Sequence, residues 1–133
     1  MPDREWVDDG SVPDDAILWR GIVPDLIETD PITGRVIPRE GAFRGPSEVS
    51  MNVAAETSVA AMQARNATWR LWCLRARQIR SFGCIVVRDA EEGDTSHVLV
   101  IRANKLGSRL TGGMANSMRR KGWWNGDAPS SEG

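Results

Sequence analysis

His97 is the only histidine in the chain, so any imidazole chemistry must use it. Asp94 and Asp89 lie shortly before it. A carboxylate that orients the imidazole ring would make His97 a plausible general base and a candidate catalytic residue. The alternative is a histidine at the edge of a strand that bonds only to its own turn, because the sequence places no nucleophile beside it.

Arg20 lies in the middle of an apolar segment, AILWRGIV, at residues 16–23. A charged side chain there must face either solvent or a polar cavity. Gly21 follows it, and a glycine inside a strand lets another backbone or a ligand approach closely. One interpretation is an arginine in a cleft that holds a phosphate or a carboxylate. The other is an outward residue of a half-buried strand, paired with a nearby acid.

Ser50 and Asn52 share the polar face of a predicted strand, EVSMNVA, at residues 48–54. Polar and apolar residues alternate along this segment, as is typical of a half-buried strand. If this strand pairs with the strand of Arg20, then Arg20, Ser50 and Asn52 can form a small ligand-binding site. The alternative is the solvent face of a sheet.

Arginines are concentrated in one stretch of the sequence. Residues 57–88 contain no acid and six arginines, which are Arg65, Arg70, Arg75, Arg77, Arg80 and Arg88. Such a stretch can form a basic stripe that binds the phosphates of a nucleotide or a nucleic acid. Residues 1–34 instead contain nine acids and two arginines. The alternative is therefore that the acidic N-terminal part lies over the stripe and neutralises it.

Trp123 and Trp124 directly follow a basic cluster formed by Arg119, Arg120 and Lys121. Adjacent indoles beside basic residues can stack on nucleic-acid bases. Tryptophan and arginine also dominate the hot spots of protein interfaces. A third possibility is that an indole packs back on the sheet and closes the C-terminus of the domain.

Composition and motifs exclude several classes of protein. The sequence contains no phosphate-binding glycine motif, zincin motif or nucleophile elbow. Two cysteines and one histidine cannot form a four-ligand zinc site without carboxylates, so no metal or cofactor is predicted. No apolar run approaches the roughly 20 residues that span a bilayer, and the acidic start is unlike a signal peptide. We expect a cytoplasmic protein, away from membranes, with reduced and buried Cys73 and Cys84.

The elements that must position these residues mix strands and helices. Strands are predicted at 16–23, 48–54, 70–74, 84–89 and 97–103, and the last two are expected to form a hairpin. Helices are predicted at 57–66 with Thr57 or Ser58 as N-cap, at 75–82 closed by Gly83, and at 108–121 capped by Ser108. A turn is predicted at 30–34, and a short extended piece in GAFRGPS.

This order predicts an α+β fold with a mostly antiparallel sheet and two or three helices packed on one side. The single domain is expected to cover residues 16–124. An acidic polar arm at 1–15 precedes it, and a disordered tail at 125–133 follows it.

Five segments of the sequence resemble a family of small bacterial proteins that have no established activity. These segments are LWRGI, GAFR, VSMNVA, IRSFGCIVVRD and HVLVI, within residues 16–104. The positions that match the family are Arg20, Phe43, Ser50, Arg80, Asp89 and His97. The chain departs from the family at REGAF, where Arg39 and Glu40 stand in place of the serines that precede the alanine.

LWRGI is also similar to the opening strand of small ADP-ribosyltransferase-like domains, including the RES type. That resemblance implies that Arg20 binds NAD and that Glu56 assists catalysis. The serine-threonine-serine signature of the arginine-specific transferases is missing.

Three functions are compatible with these observations. The first is a binding or accessory module that engages a protein partner or a small ligand, through a polar cleft or through the basic C-terminus with Trp123 and Trp124. The second is an enzyme that acts on a nucleotide or NAD, which needs Arg20, Ser50 and His97 within one pocket. The third is nucleic-acid binding through exposed arginines. The candidate residues for partner or nucleic-acid binding are Arg70, Arg75, Arg77, Arg80, Arg119, Arg120, Trp123 and Trp124.

Overall fold

The computed structural model of the chain describes residues 7–44, 48–90, 94–106 and 108–129. The strands in these residues are β1 (Ile17–Ile22), β2 (Ile27–Thr29), β3 (Val36–Pro38), β4 (Val49–Val53), β5 (Arg70–Arg75), β6 (Cys84–Arg88), β7 (His97–Arg102) and β8 (Trp123–Trp124). The helices are α1 (Val59–Arg65), α2 (Ala76–Ser81) and α3 (Gly112–Lys121). Short 3-10 turns cover Pro24–Leu26, Glu40–Phe43 and Ala54–Glu56.

Six strands form one antiparallel sheet in the order β6-β7-β4-β1-β5-β8, and β2 and β3 form a separate hairpin. The predicted hairpin of β6 and β7 is present, with Val86 opposite Val100. The predicted fold class, a small α+β domain with a mostly antiparallel sheet, is confirmed. None of the helices in the described ranges has the length and apolar character that crossing a membrane requires.

The alternation of side chains along the strands gives the sheet two different faces. On one face, which we call the core face, Leu18, Met51 and Trp72 belong to a large buried cluster. Helices α2 and α3 cover this face and contribute Ile79 and Met118 to the same cluster. Two of the helices thus pack on one side of the sheet.

The opposite face, which we call the second face, is more polar, since Ser50, Asn52 and His97 lie on it. The strand register places His97, Asn52, Trp19, Cys73 and Trp123 in one row across it. Helix α1 packs on this face, because its buried Met62 belongs to the cluster of Trp19 and Cys73. Ser58 caps α1, as expected, and accepts a hydrogen bond from the Ala61 amide.

Helix α3 begins later than expected. It starts at Gly112, and its cap is the side chain of Thr111, which accepts from the Met114 amide, so Ser108 is not the cap. Two glycines inside a helix cost about 2 kcal/mol relative to alanine, whereas at the first turn they cost less. The expected extended piece after residue 40 is also wrong in part, because Glu40–Phe43 is a 3-10 turn, and residues 45–47 lie outside the described ranges.

The described part of the acidic arm lies along the edge of β6. The Asp9 amide donates to the Val86 carbonyl at 2.8 Å, and the Val86 amide donates to Asp8 at 2.9 Å. Val12 is fully buried in the large cluster. The arm thus satisfies the outward backbone groups of Val86, a polar pair that an edge strand would otherwise expose.

The β2–β3 hairpin is attached to α3 by charged hydrogen bonds. Arg119 pairs with Glu28 at 2.5 Å, and Arg120 pairs with Asp30 at 2.5 Å. Strand β8 then pairs with β5, and the Asn125 amide donates to the Leu71 carbonyl. The chain is therefore attached to the sheet through residue 125, and residues 130–133 of the expected tail lie outside the described ranges.

Gly21 is required by the indole ring of Trp69, which lies flat on β1. A Cβ atom at position 21 would lie 2.3 Å from the ring. We expect Gly21→Ala to lower the free energy of unfolding by about 1–3 kcal/mol, because the ring must shift. Urea denaturation followed by circular dichroism measures this change.

Gly10→Ala is the matched control, since an added Cβ there would meet no atom within 4 Å. Its effect should stay within about 0.5 kcal/mol. Equal effects of the two substitutions, or an undiminished effect of Gly21→Ala in a Trp69→Ala background, would contradict the contact.

Candidate functional site

Polar side chains from several elements meet at one end of the second face. We call them the polar cluster, and its members are Asn52, Arg65, Asp89, Asp94, Ser96 and His97. Asn52 lies opposite His97 in the register of β4 and β7, so their side chains are neighbours. Arg65 reaches the cluster from the last turn of α1. The β6–β7 connection supplies Asp89, Asp94 and Ser96.

Asn52, Ser96 and Asp94 form the inner part of the polar cluster. The Asn52 amide donates to an Asp94 carboxylate oxygen at 2.8 Å and to the Ser96 hydroxyl at 2.9 Å. The Ser96 hydroxyl in turn donates to Asp94 at 2.5 Å. Asn52 and Ser96 are buried, so each polar atom needs such a partner to offset its lost hydration.

His97 is also buried, with 4% of its surface exposed. Its Nδ1 atom lies 2.9 Å from the Asp89 carbonyl oxygen and 3.2 Å from an Asp89 carboxylate oxygen. Because both neighbours are acceptors, Nδ1 carries the proton. Asp89 is thus the carboxylate that orients the ring, while Asp94 bonds to Asn52 and Ser96 instead.

Arg65 forms the solvent side of the polar cluster. Its side chain is 45% exposed, and its contacts are long: 3.4 Å to the Asn52 oxygen and 3.6 Å to Asp94. Its guanidinium carbon lies 5.4 Å from the centre of the Trp69 ring. By comparison, Arg88 pairs with Glu56 at 2.5 Å. Arg65 is therefore held more loosely than this other ion pair.

Burial raises the pKa of Asp94, but the hydrogen bonds from Ser96 and Asn52 and the charge of Arg65 outweigh it, so the pKa lies below its ordinary value. The carboxylate is therefore ionised at neutral pH. It balances the charge of Arg65 beside it.

Arg20 does not belong to the polar cluster. It lies between Leu18 and Ile22 on the core face, whereas Ser50 and His97 point to the second face. Its Nε donates to the Ala42 carbonyl at 3.1 Å and its NH1 group to the Ser50 carbonyl at 2.8 Å. Arg20, Ser50 and His97 thus do not share a pocket. The described hydrogen bonds of Arg20 thus go to backbone carbonyls and not to an acid.

Glu56 and Ser50 also make none of the contacts described for the polar cluster. Glu56 is held by Arg88 through bonds of 2.5 Å and 2.8 Å, which lower the pKa of its carboxyl group. The Ser50 side chain lies beside Leu99 in the register of β4 and β7. Of the predicted ligand-binding residues, only Asn52 lies in the cluster, and of the predicted catalytic residues, only His97 does.

The arginines of residues 57–88 do not form one stripe. Arg70 lies 4.1 Å from the Trp124 ring, and Arg75 lies 4.9 Å from the Trp123 ring on the opposite face of the sheet. Arg80 binds Asp8 and Asp14 of the acidic arm. For this residue, the N-terminal segment therefore neutralises the arginine, as the alternative interpretation predicts. Arg70 and Arg77 are both exposed, and Arg77, on α2, has no side-chain bond to a described residue.

The basic cluster before the two tryptophans also contributes bonds within the domain. Arg119 is buried and donates to the Pro38 carbonyl besides its pair with Glu28. Trp123 and Trp124 are each 6% exposed, and the Trp124 ring nitrogen donates to the Val36 carbonyl. Of the three alternatives for these indoles, the structure shows the one in which they pack back on the sheet.

Sequence reasoning misses the roles of Arg65 and Ser96. In the sequence Arg65 is only one member of the basic stretch, and its spacing from Asn52 gives no signal of their contact. The segment DTSH carries a weak signal, since an aspartate two residues before a serine often accepts from the serine amide, as Asp94 does here at 3.1 Å. Within the described residues, no group of three or more metal-ligating side chains is suited to a metal ion.

Arg20→Met tests the structural role of Arg20. The Ala42 and Ser50 carbonyls would lose their charged donor, so we expect a loss of about 2–4 kcal/mol in unfolding free energy. Urea denaturation measures it, with Arg77→Met as the control on an exposed arginine. A loss no larger than that of the control would show that the two hydrogen bonds contribute nothing.

Asp94→Asn tests the cluster through its pH dependence. The pKa of Asp94 is lower in the folded chain than its unfolded value of about 3.9, so its contribution is complete above that value. It is lost as the pH falls through the folded pKa. Wild type should therefore be more stable than Asp94→Asn at neutral pH, and the difference should shrink in acid.

Denaturation series at several pH values measure this difference, with Asp25→Asn as a control on an exposed carboxylate. A stability difference between wild type and Asp94→Asn that stays constant down to strongly acidic pH would contradict the assignment.

Comparison of the chain with protein-family models, with curated proteins and with solved structures gave no match. The function of the chain must therefore be inferred from the geometry of the polar cluster.

Proposed function

We propose that the chain is a small binding module and that the polar cluster is its ligand site. The observation that carries this proposal is that Arg65 is exposed and only loosely bonded. Its guanidinium lies at the solvent side of a buried, otherwise tightly bonded network, and its own contacts are 3.4 Å and 3.6 Å long. Both contacts use the NH1 group, so a ligand can bond to the rest of the guanidinium while Asp94 keeps its balancing charge.

The chemistry of Arg65 favours an anionic ligand. A guanidinium presents a planar fork of donors that matches a carboxylate or a phosphate. Asn52 and Asp94 lie directly behind it and offer oxygen acceptors. We infer that the ligand carries an anionic group for Arg65 and a hydrogen-bond donor for the acceptors.

Two further features support binding rather than catalysis. The predicted catalytic residues Arg20, Glu56 and His97 have separate partners, which are backbone carbonyls, Arg88 and Asp89. The Ser96 hydroxyl donates to Asp94 rather than to the imidazole of His97. An enzyme that acts on a nucleotide or NAD needs Arg20, Ser50 and His97 in one pocket, and the placement of Arg20 and His97 on opposite faces of the sheet counts against it. NAD, with two phosphates, remains a compound to test.

The buried cysteines support a cytoplasmic location, which is part of this proposal. Cys73 and Cys84 are free, and burial raises the pKa of each thiol to about 11. Thiols in this state are unreactive, as suits a reducing compartment. That the chain belongs to the family of small bacterial proteins also stays a prediction.

A thermal-shift screen followed by calorimetry tests the proposal on the full chain. The panel contains amino acids, mononucleotides, NAD, sugar phosphates and inorganic phosphate. We expect at least one anionic compound to raise Tm, and we expect Arg65→Ala to weaken its Kd by about tenfold or more, since a charged hydrogen bond is lost.

Arg77→Ala is the matched control, because Arg77 is an exposed arginine on α2, on the other side of the sheet from Arg65. It should bind as wild type does, and Arg65→Lys should fall between because it keeps the charge without the fork. An anionic ligand whose Kd is the same for wild type and Arg65→Ala would contradict the site. No binding by any compound in the panel would count against the function itself.

A further inference from the structure

The tip of the β2–β3 hairpin presents an isoleucine on a rigid turn. Ile32 is 80% exposed, although its backbone amide donates to the Asp30 carboxylate at 3.1 Å. The same carboxylate accepts from the Thr33 hydroxyl at 3.0 Å and from Arg120 at 2.5 Å. The Gly34 amide also donates to the Asp30 carbonyl, with Gly34 at a φ of 73°. The turn is thus held in one conformation from inside the domain.

A groove of about 400 Å³ lies where the arm enters β1. Pro13 and residues 15–17 form one wall, and residues 53–56 form the other. The lining side chains are apolar except at Asp15 and Glu56. A groove of this size can accept a side chain such as isoleucine, since ligand pockets begin near 300 Å³.

The two surfaces carry opposite charge. Asp15 and Glu56 line the groove. Glu56 is paired with Arg88, but Asp8 and the 72% exposed Asp14 share the single Arg80, so this end of the groove keeps an excess of negative charge. Arg35, beside the hairpin tip, donates to the carbonyls of Arg120 and Gly122, so these bonds leave its positive charge uncancelled. A basic tip with an apolar residue is therefore complementary to an apolar groove with acidic residues.

We propose that the hairpin tip of one copy of this chain docks in the groove of a second copy, with Ile32 as the apolar anchor. The rigid turn favours this, because little conformational freedom is lost on binding. The tip and the groove are different surfaces, so the contact is head-to-tail, and each pair keeps one free tip and one free groove. Assembly then continues to a ring or a short chain. None of the residues that line the groove belongs to the polar cluster, so this inference is independent of the proposed ligand.

Sedimentation equilibrium of the full chain over a range of concentrations tests the contact. We expect the average mass of wild type to rise above the 14.6 kDa monomer, and to rise less at high salt, because the charges that favour docking are screened. Ile32→Asp removes the tip, and Ala55→Arg fills the groove at an exposed position. Each variant alone should stay monomeric. Circular dichroism checks that both fold.

Mixing the two variants gives the decisive result. Ile32→Asp keeps an intact groove and Ala55→Arg keeps an intact tip, so the mixture should form a one-to-one dimer and nothing larger. Leu106→Asp, a charge placed on an exposed apolar residue outside both surfaces, should associate as wild type does. A wild type that stays monomeric, an Ile32→Asp variant that associates like wild type, or a mixture that stays monomeric would each overturn the proposal.

Discussion

The fold depends on how the chain joins β1 to β4. These central strands share only two residue pairs, Leu18 with Val53 and Trp19 with Asn52, whereas β1 and β5 share six. After Trp19 the backbone pairing ends, and the guanidinium of Arg20 donates instead to the carbonyls of Ser50 and Ala42. A backbone amide would normally satisfy a strand carbonyl at such a position. Arg20 thus holds β4 and the 3-10 turn before it against β1, which explains a charged residue in an apolar strand.

The same use of arginine recurs at the periphery. Arg80 holds the acidic arm, and Arg119 and Arg120 hold the β2–β3 hairpin. The acids and the arginines, which are concentrated in different parts of the sequence, therefore mostly form ion pairs that join segments distant in the chain. Arginine suits this role because one guanidinium donates several bonds in a fixed plane. Arg65 differs from these three arginines, since its bonds are long and its side chain is exposed. Arg39 is similarly exposed and loosely paired with Glu28, so it is the buried network of Asn52, Ser96 and Asp94 beside Arg65 that makes the polar cluster a candidate site.

Much of the fold can be predicted from local pattern, and the site cannot. The alternation of Val49, Met51 and Val53 predicts β4 and its buried face, and Gly83 marks the end of α2 with a φ of 95°. Whether Arg20 and His97 share a face depends instead on strand register. Trp19 lies opposite Asn52, and Asn52 lies opposite His97, so Arg20 falls on the other face. A shift of one residue would reverse this, and no local signal in the sequence sets it. The direction in which Trp123 and Trp124 pack is likewise decided by tertiary contacts.

Heteronuclear NMR of the arginine Nε–H groups tests most directly the division between structural arginines and Arg65. The Nε–H protons of Arg20 and Arg119 should exchange slowly with water, because each donates to a fixed carbonyl, of Ala42 and Pro38. The proton of Arg65 should exchange as fast as that of exposed Arg77, and an anionic ligand should shift the Arg65 signal and leave that of Arg20 in place. Fast exchange at Arg20, or a ligand-induced shift there with none at Arg65, would contradict this division and return the ligand site to the core face.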